Sequence, residues 1–214
     1  MNRLARQQIL KDIGIDAWYL RDLKPAADCN NAPDWDALEN SVLNCRACEL
    51  ASSRTNAVFG VGNKKAELMI IGEAPGKDED LQGKPFVGRA GKLLDAMLKA
   101  IGFDREDVFI ANILKCRPPN NRDPEVGEIN KCQDYLYRQI ELINPKVILC
   151  AGRIAAQTLL KTNTAIGRLR GNLHKLKTIP LIVTYHPAYL LRKPTEKAKS
   201  WQDLKLVVQL LEKS

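Results

Sequence analysis

The chain has 214 residues, 45% of them hydrophobic and 27% charged, which is ordinary for a globular protein and enough for one well-buried domain. No apolar run approaches the roughly 20 residues that a membrane-spanning helix needs. The net charge of +8 is unevenly placed: residues 151–214 hold 12 Lys/Arg against 3 Asp/Glu, while residues 1–150 are close to neutral. A basic final third fits a surface that meets a polyanion, and equally a solvated lysine face.

The opening stretch MNRLARQQILKDIG has a short amphipathic helix pattern but no apolar core of a secretory signal, so a cytoplasmic protein without a membrane partner is expected. Residues 1–33 then pass through KPAADCNNAPDW, a linker composition, and are assigned to an N-terminal extension; residues 34–214 form the main domain. A helix is predicted from about Asp34 into NCRACEL. Four short apolar runs bounded by turn residues then predict buried parallel strands at 67–72, 107–112, 146–150 and 180–185. Helical patterns alternate with them: GRAGKLLDAMLKAIG, closed by Gly102; PEVGEINKCQDYLYRQIELI, between Pro124 and Pro145; GRIAAQTLL; and TEKAKSWQDLKLVVQLLEK. This alternation implies an α/β protein with a parallel sheet covered by helices on both faces. Ligands of such sheets bind beyond the carboxyl ends of the strands, which here carry Glu73, Asn112, Gly152 and His186. An acid, an amide and a histidine therefore converge on one rim.

Six cysteines in a chain without an export signal favour metal ligation or catalysis over disulfides. Cys45-x2-Cys48 has ligand spacing, and Cys116 and Cys132 can complete a four-thiolate site or be reduced structural residues. A zinc ribbon would supply a second close pair, which is absent; an iron–sulfur cluster accepts spread ligands more readily. Cys29, in a loop, and Cys150, in a strand, are read as non-ligands.

The segment IIGEAPGKDEDLQGKPFVGRAGKLL is neither a Walker A loop nor a GxGxxG turn, and its Asp78-Glu79-Asp80 run would repel a phosphate. Its glycines let backbone approach a ligand closely, and Phe86 is either a stacking surface or a core residue.

GEAPG, GKPFVGRAGKLL, NILKCRPPNNRDP and HPAYLLR, with Cys45, Cys48, Cys116 and Cys132 in this order, resemble the iron–sulfur type (family 4) uracil-DNA glycosylases from about residue 36 onward. The resemblance implies a three-layer α/β/α sandwich with a four-stranded parallel sheet, a structural [4Fe–4S] cluster on those four cysteines, and removal of uracil from single- or double-stranded DNA by a monomer. It implies that His186 donates to uracil O2 as the base departs and that Asn112 reads O4 and N3–H. Phe86 stacks on the flipped base, Ala74 and Gly76 give backbone contacts, and Glu73 and Glu79 orient the attacking water and face the cationic sugar, with the division between them open. Leu190 or Leu191 is the apolar wedge that replaces the extruded base. Arg192, Arg117 and Arg170 are candidate phosphate contacts, together with Lys115, Arg122 and the rest of GRLRGNLHKLK. A related glycosylase that stays covalently attached to its product carries an added basic loop after GRAG, which this chain lacks. A non-catalytic iron–sulfur DNA-binding module, such as a polymerase accessory domain, is the alternative, and a zinc-stabilised nucleotide-binding protein a third.

Overall fold

The computed structural model describes residues 35–213, so the expected extension 1–33, with Cys29, lies outside the described residues. The central strands are β2 (Leu68–Gly72), β3 (Phe109–Asn112), β4 (Val147–Ala151) and β6 (Ile179–Thr184). In β2, β3 and β4 every residue is buried, the signature of strands covered on both faces. Two edge strands complete the sheet, β1 (Val61–Gly62) and β5 (Leu173–Leu176), in the order β1-β3-β2-β4-β6-β5.

The sheet is therefore six-stranded and mixed, which corrects the expected four-stranded parallel sheet. β3, β2, β4 and β6 are mutually parallel, but β1 runs antiparallel to β3 and β5 antiparallel to β6. The edge strands carry no continuous apolar run: β1 is two residues long, and LHKL alternates between exposed and half-buried positions.

Residues alternate across the sheet between two cores. On one face Met69, Ile71, Ala111, Ile148 and Val183 pack under α5 (Val126–Ile143) and α6 (Arg153–Leu160), through Leu136, Ile140 and Ala155 among others. On the other, Ile70, Ile110, Leu149 and Ile182 pack under α4 (Arg89–Lys99) and α9 (Lys197–Leu211), through Leu94, Leu98, Leu204 and Val207. Leu94 and Leu98 stand four apart on one helix face, which is why α4 buries that stripe. Beyond α4 the chain turns at Gly102 (φ +83°), where Phe103 N–H reaches back to the Leu98 carbonyl at 3.1 Å.

The helix expected to run into NCRACEL stops earlier. α1 (Trp35–Leu43) ends before Cys45, and the short α2 is Leu50–Ser53, so Cys45 and Cys48 lie in the turn between two helices. At this break Arg54 Nη2 donates to the carbonyls of Leu43 (2.8 Å) and Cys45 (3.1 Å). Two short helices fill the connections after α6 and β6, α7 (Ile166–Leu169) and α8 (Pro187–Arg192), and α3 (Lys77–Gln82) follows β2.

Candidate active site

The chain leaves β2 toward β3 on one side and later crosses to β4 and β6 on the other, and a cavity of about 440 Å³ opens beyond the carboxyl ends at this reversal. Glu73, Glu79, Phe86, Asn112 and His186 all line it, as do Ala74 and Gly76. The cavity thus brings together residues up to 113 positions apart in the chain.

Asn112 ends β3 and is 2% exposed, yet its Oδ1 has no hydrogen-bond partner. A buried carbonyl oxygen left unpaired costs about 1–3 kcal/mol, and this one is open to a donor entering the cavity that Asn112 lines. The Asn112 main chain is held by the fully buried Lys115, whose Nζ donates to the Asn112 carbonyl at 2.9 Å and to Gln139 Oε1 at 2.7 Å.

Phe86 is 5% exposed and adopts φ +51°, a left-handed conformation that costs a non-glycine residue roughly 1–2 kcal/mol. Its ring stacks on His186, with centroids 5.5 Å apart and planes at 27°. Glycines make this packing possible: a Cβ at Gly72 would collide with the Asn112 amide and the Phe86 ring, and one at Gly91 would collide with the Phe86 backbone. Phe86 is consequently both a core residue and a wall of the cavity.

His186 caps α8, and its Nδ1 accepts the Ala188 N–H at 3.1 Å. In the neutral ring the proton then sits on Nε2. Burial, with Arg192 adding repulsion and Glu79 opposing it, pushes the imidazole down to about 4, so the ring is neutral at physiological pH. Gly152 (φ +107°) leaves room for the ring to settle against β4.

The two glutamates differ. Glu79 accepts three backbone N–H groups, from Gly76 (3.1 Å), Val87 (2.9 Å) and Gly88 (3.0 Å), and so ties the start of α3 to the start of α4. Glu73 is half-buried, and burial followed by repulsion from Asp123 raises its carboxyl above the usual range, against the pull of Arg153. Asp123, also on the cavity wall, is bonded by Arg153 Nη2 at 2.6 Å. Neither Asp123 nor Tyr189, a further wall residue, is singled out from the sequence, although both lie in quoted motifs.

Among the candidate DNA contacts, Leu190 is 1% exposed and belongs to the interior, whereas Leu191 is 37% exposed beside the cavity residue Arg192. Arg117 is half-buried and bonds Asn121 Oδ1 at 2.8 Å. Three candidates have partners within the protein. Arg170 forks onto the fully buried Asp203 (2.6 and 3.1 Å) and lies over Tyr185. Lys115 is internal, and Arg122 pairs with Glu128 (2.6 and 2.9 Å) while also lining the cavity.

The four candidate ligand cysteines are free thiols grouped around the loop after β3. Burial pushes the Cys132 thiol up to about 11 and raises that of Cys116, with the neighbouring Cys45 adding to both. Arg54 Nη1 donates to Cys116 Sγ at 2.9 Å and Lys115 N–H to Cys132 Sγ at 3.2 Å, the bonds that stabilise ligated thiolates. Among the described residues no set of three His, Cys, Asp or Glu is arranged to hold one metal ion. The four thiols, two of them with N–H donors on their sulfurs, form a donor group of the kind that suits an iron–sulfur cluster. Ala74 packs against this group while lining the cavity, so the cysteine region and the cavity share a wall.

The family model of the Uracil DNA glycosylase superfamily matches residues 59–205. A type-4 uracil-DNA glycosylase of Archaeoglobus fulgidus is 49% identical over 183 residues, 82% of this chain and 92% of that protein. Type-4 uracil-DNA glycosylases of Saccharolobus solfataricus and Thermotoga maritima are 47% and 41% identical, covering 82% and 84% of this chain and 86% and 92% of theirs. With its six-stranded mixed sheet and with relatives this similar along most of its length, the chain belongs to the uracil-DNA glycosylase superfamily, on the type-4 side.

Proposed function

We propose that this protein is a uracil-DNA glycosylase of base excision repair, a hydrolase that flips uracil out of DNA and cleaves its N-glycosidic bond. The observation that carries the reading is the buried, unpaired Oδ1 of Asn112 facing a cavity closed by Phe86 and His186. Oδ1 accepts uracil N3–H and the amide nitrogen donates to O4; cytosine offers the opposite pair, and a mismatch would leave buried groups unpaired. Phe86 stacks on the base. As the C1′–N1 bond breaks, its electron pair leaves with uracil, and His186 Nε2–H donates to O2, where negative charge collects. Glu73 takes the water, because its carboxylate has no backbone bonds of the kind that hold Glu79; the water oxygen bonds to C1′ and its proton leaves through Glu73. Glu79 organises the cavity wall and adds negative charge near the sugar.

Leu191, exposed beside Arg192, is the wedge, with Arg192 and Arg117 on phosphates. Cys45, Cys48, Cys116 and Cys132 would hold a [4Fe–4S] cluster, whose role would be structural, since these cysteines lie on the loop after Asn112, on α5 and in the turn before α2. Residues 34–214 are the working domain, with 1–33 an extension. Five free cysteines among the described residues suit a reducing compartment, the cytoplasm, and a monomer suffices because one chain lines the cavity.

An oligonucleotide with a single uracil tests this. An abasic product is expected from uracil and none from thymine, with hypoxanthine as a second comparison; no abasic product from an iron-replete preparation would overturn it.

A further inference from the structure

We infer that Arg105 is a positioning residue for excision: it holds Phe86 in its left-handed conformation and so keeps the aromatic wall stacked on His186. Arg105 lies in the turn between α4 and β3, away from every motif quoted above. Its Nη1 donates to the Phe86 carbonyl at 3.1 Å and to Asp95 Oδ1 at 2.9 Å, and its Nη2 donates to the Pro85 carbonyl. The side chain is 22% exposed, and Asp95 on α4 balances its charge. One planar fork therefore takes two successive carbonyls of the loop that carries the strained residue, which a lysine's single ammonium cannot do with the same geometry. Gly91 limits the loop from the helix side by presenting hydrogen where any Cβ would strike the Phe86 backbone. Glu79 fixes the next two residues through the N–H groups of Val87 and Gly88. Arg105 is thus the anchor on the near side of Phe86, and Glu79 the anchor on the far side.

The inference rests on the glycosylase reading for its kinetic part alone. The Phe86 ring lies stacked on His186, so loss of the anchor reaches the imidazole whatever the substrate. The charged groups acting on that ring are Arg192 and Glu79, neither of which bonds Arg105. The chain has two histidines, His174 and His186, so ring-proton NMR with a His174→Gln background assigns the signal directly.

The experiment is single-turnover excision from a uracil oligonucleotide, together with the His186 titration, for the full-length wild type, Arg105→Ala and Arg105→Lys. Arg105→Ala is expected to lower the first-order rate at saturating enzyme about 10- to 100-fold, the scale of a misplaced wall, while the half-saturating concentration stays within about twofold. The His186 midpoint should rise toward its unperturbed value, and Arg105→Lys should fall between. Arg105→Ala with a lower melting temperature but wild-type rate and wild-type titration would overturn the inference. If Arg105→Ala does not fold, Arg105→Lys carries the same two readouts, and no change in either overturns it. A wild type that releases no uracil would defeat the glycosylase reading and leave the titration to judge Arg105.

Discussion

Nδ1 of His186 accepts the Ala188 N–H at 3.1 Å, and this one bond decides what the ring can do. The proton is left on Nε2, where the ring is a donor without being a cation. Since burial pushes the ring down to about 4, the excision rate should show no histidine step between about pH 6 and 8. His186→Ala should lower the rate about 10²- to 10³-fold, the scale of one lost oxyanion donor. The stability consequence has a definite sign. The unfolded histidine, near 6.5, binds protons more readily than the folded one, so the neutral ring's contribution is complete above about pH 6.5 and is lost as pH falls toward 4. Melting curves of wild type and His186→Gln across that window check it: the wild type should lose more stability on acidification.

Asn112 separates stability from activity. Its Oδ1 is buried without a partner, so removing it gives up no internal hydrogen bond. Asn112→Ala should change the unfolding free energy by no more than about 1 kcal/mol yet lower uracil excision about 10²-fold or more. A variant that melts far below wild type would mean that the amide is part of the scaffold.

The two adjacent leucines should behave oppositely. Leu190, at 1% exposure, should cost about 2–5 kcal/mol when cut to alanine. Leu191, at 37%, should cost no more than about 0.5 kcal/mol. Leu191→Ala should instead slow excision from duplex more than from single-stranded DNA, because only the duplex needs a wedge to hold the stack open. Equal slowing on both substrates would assign Leu191 a different task.

The four central strands are legible in the sequence because a strand buried on both faces must be a continuous apolar run. The edge strands are not, since LHKL has one solvated face and Val61-Gly62 is too short for any period. The rim residues Glu73, Asn112 and His186 are legible from the rule that places ligands beyond strand ends. What the sequence hides is where each cation goes. Nothing in the local stretches announces that Arg170, Lys115 and Arg122 pair with Asp203, Gln139 and Glu128. The bonds at the break before Cys45 are hidden for the same reason, because Arg54 donates to carbonyls nine and eleven residues away. Long-range hydrogen bonds carry no local periodicity, so Arg105 and Phe86, 19 positions apart, leave no trace in either stretch.

The acid limb of the reaction tests the assignment of the water to Glu73. Burial comes first in raising this carboxyl, Asp123 adds repulsion, and Arg153, bonded to Asp123 at 2.6 Å, opposes both. A base works only when ionised, so kcat/KM on a uracil oligonucleotide should fall on acidification with a midpoint above the ordinary glutamate value of 4.5. Asp123→Asn removes a negative neighbour and should move that midpoint down, toward 4.5. Arg153→Ala removes the compensating cation and should move it up. Glu73→Gln should abolish the limb along with most of the rate, whereas Glu79→Gln should lower stability, because an amide cannot accept all three backbone N–H groups as the carboxylate does. If the limb instead stays in place in Asp123→Asn and Arg153→Ala and moves only with Glu79, the water belongs to Glu79.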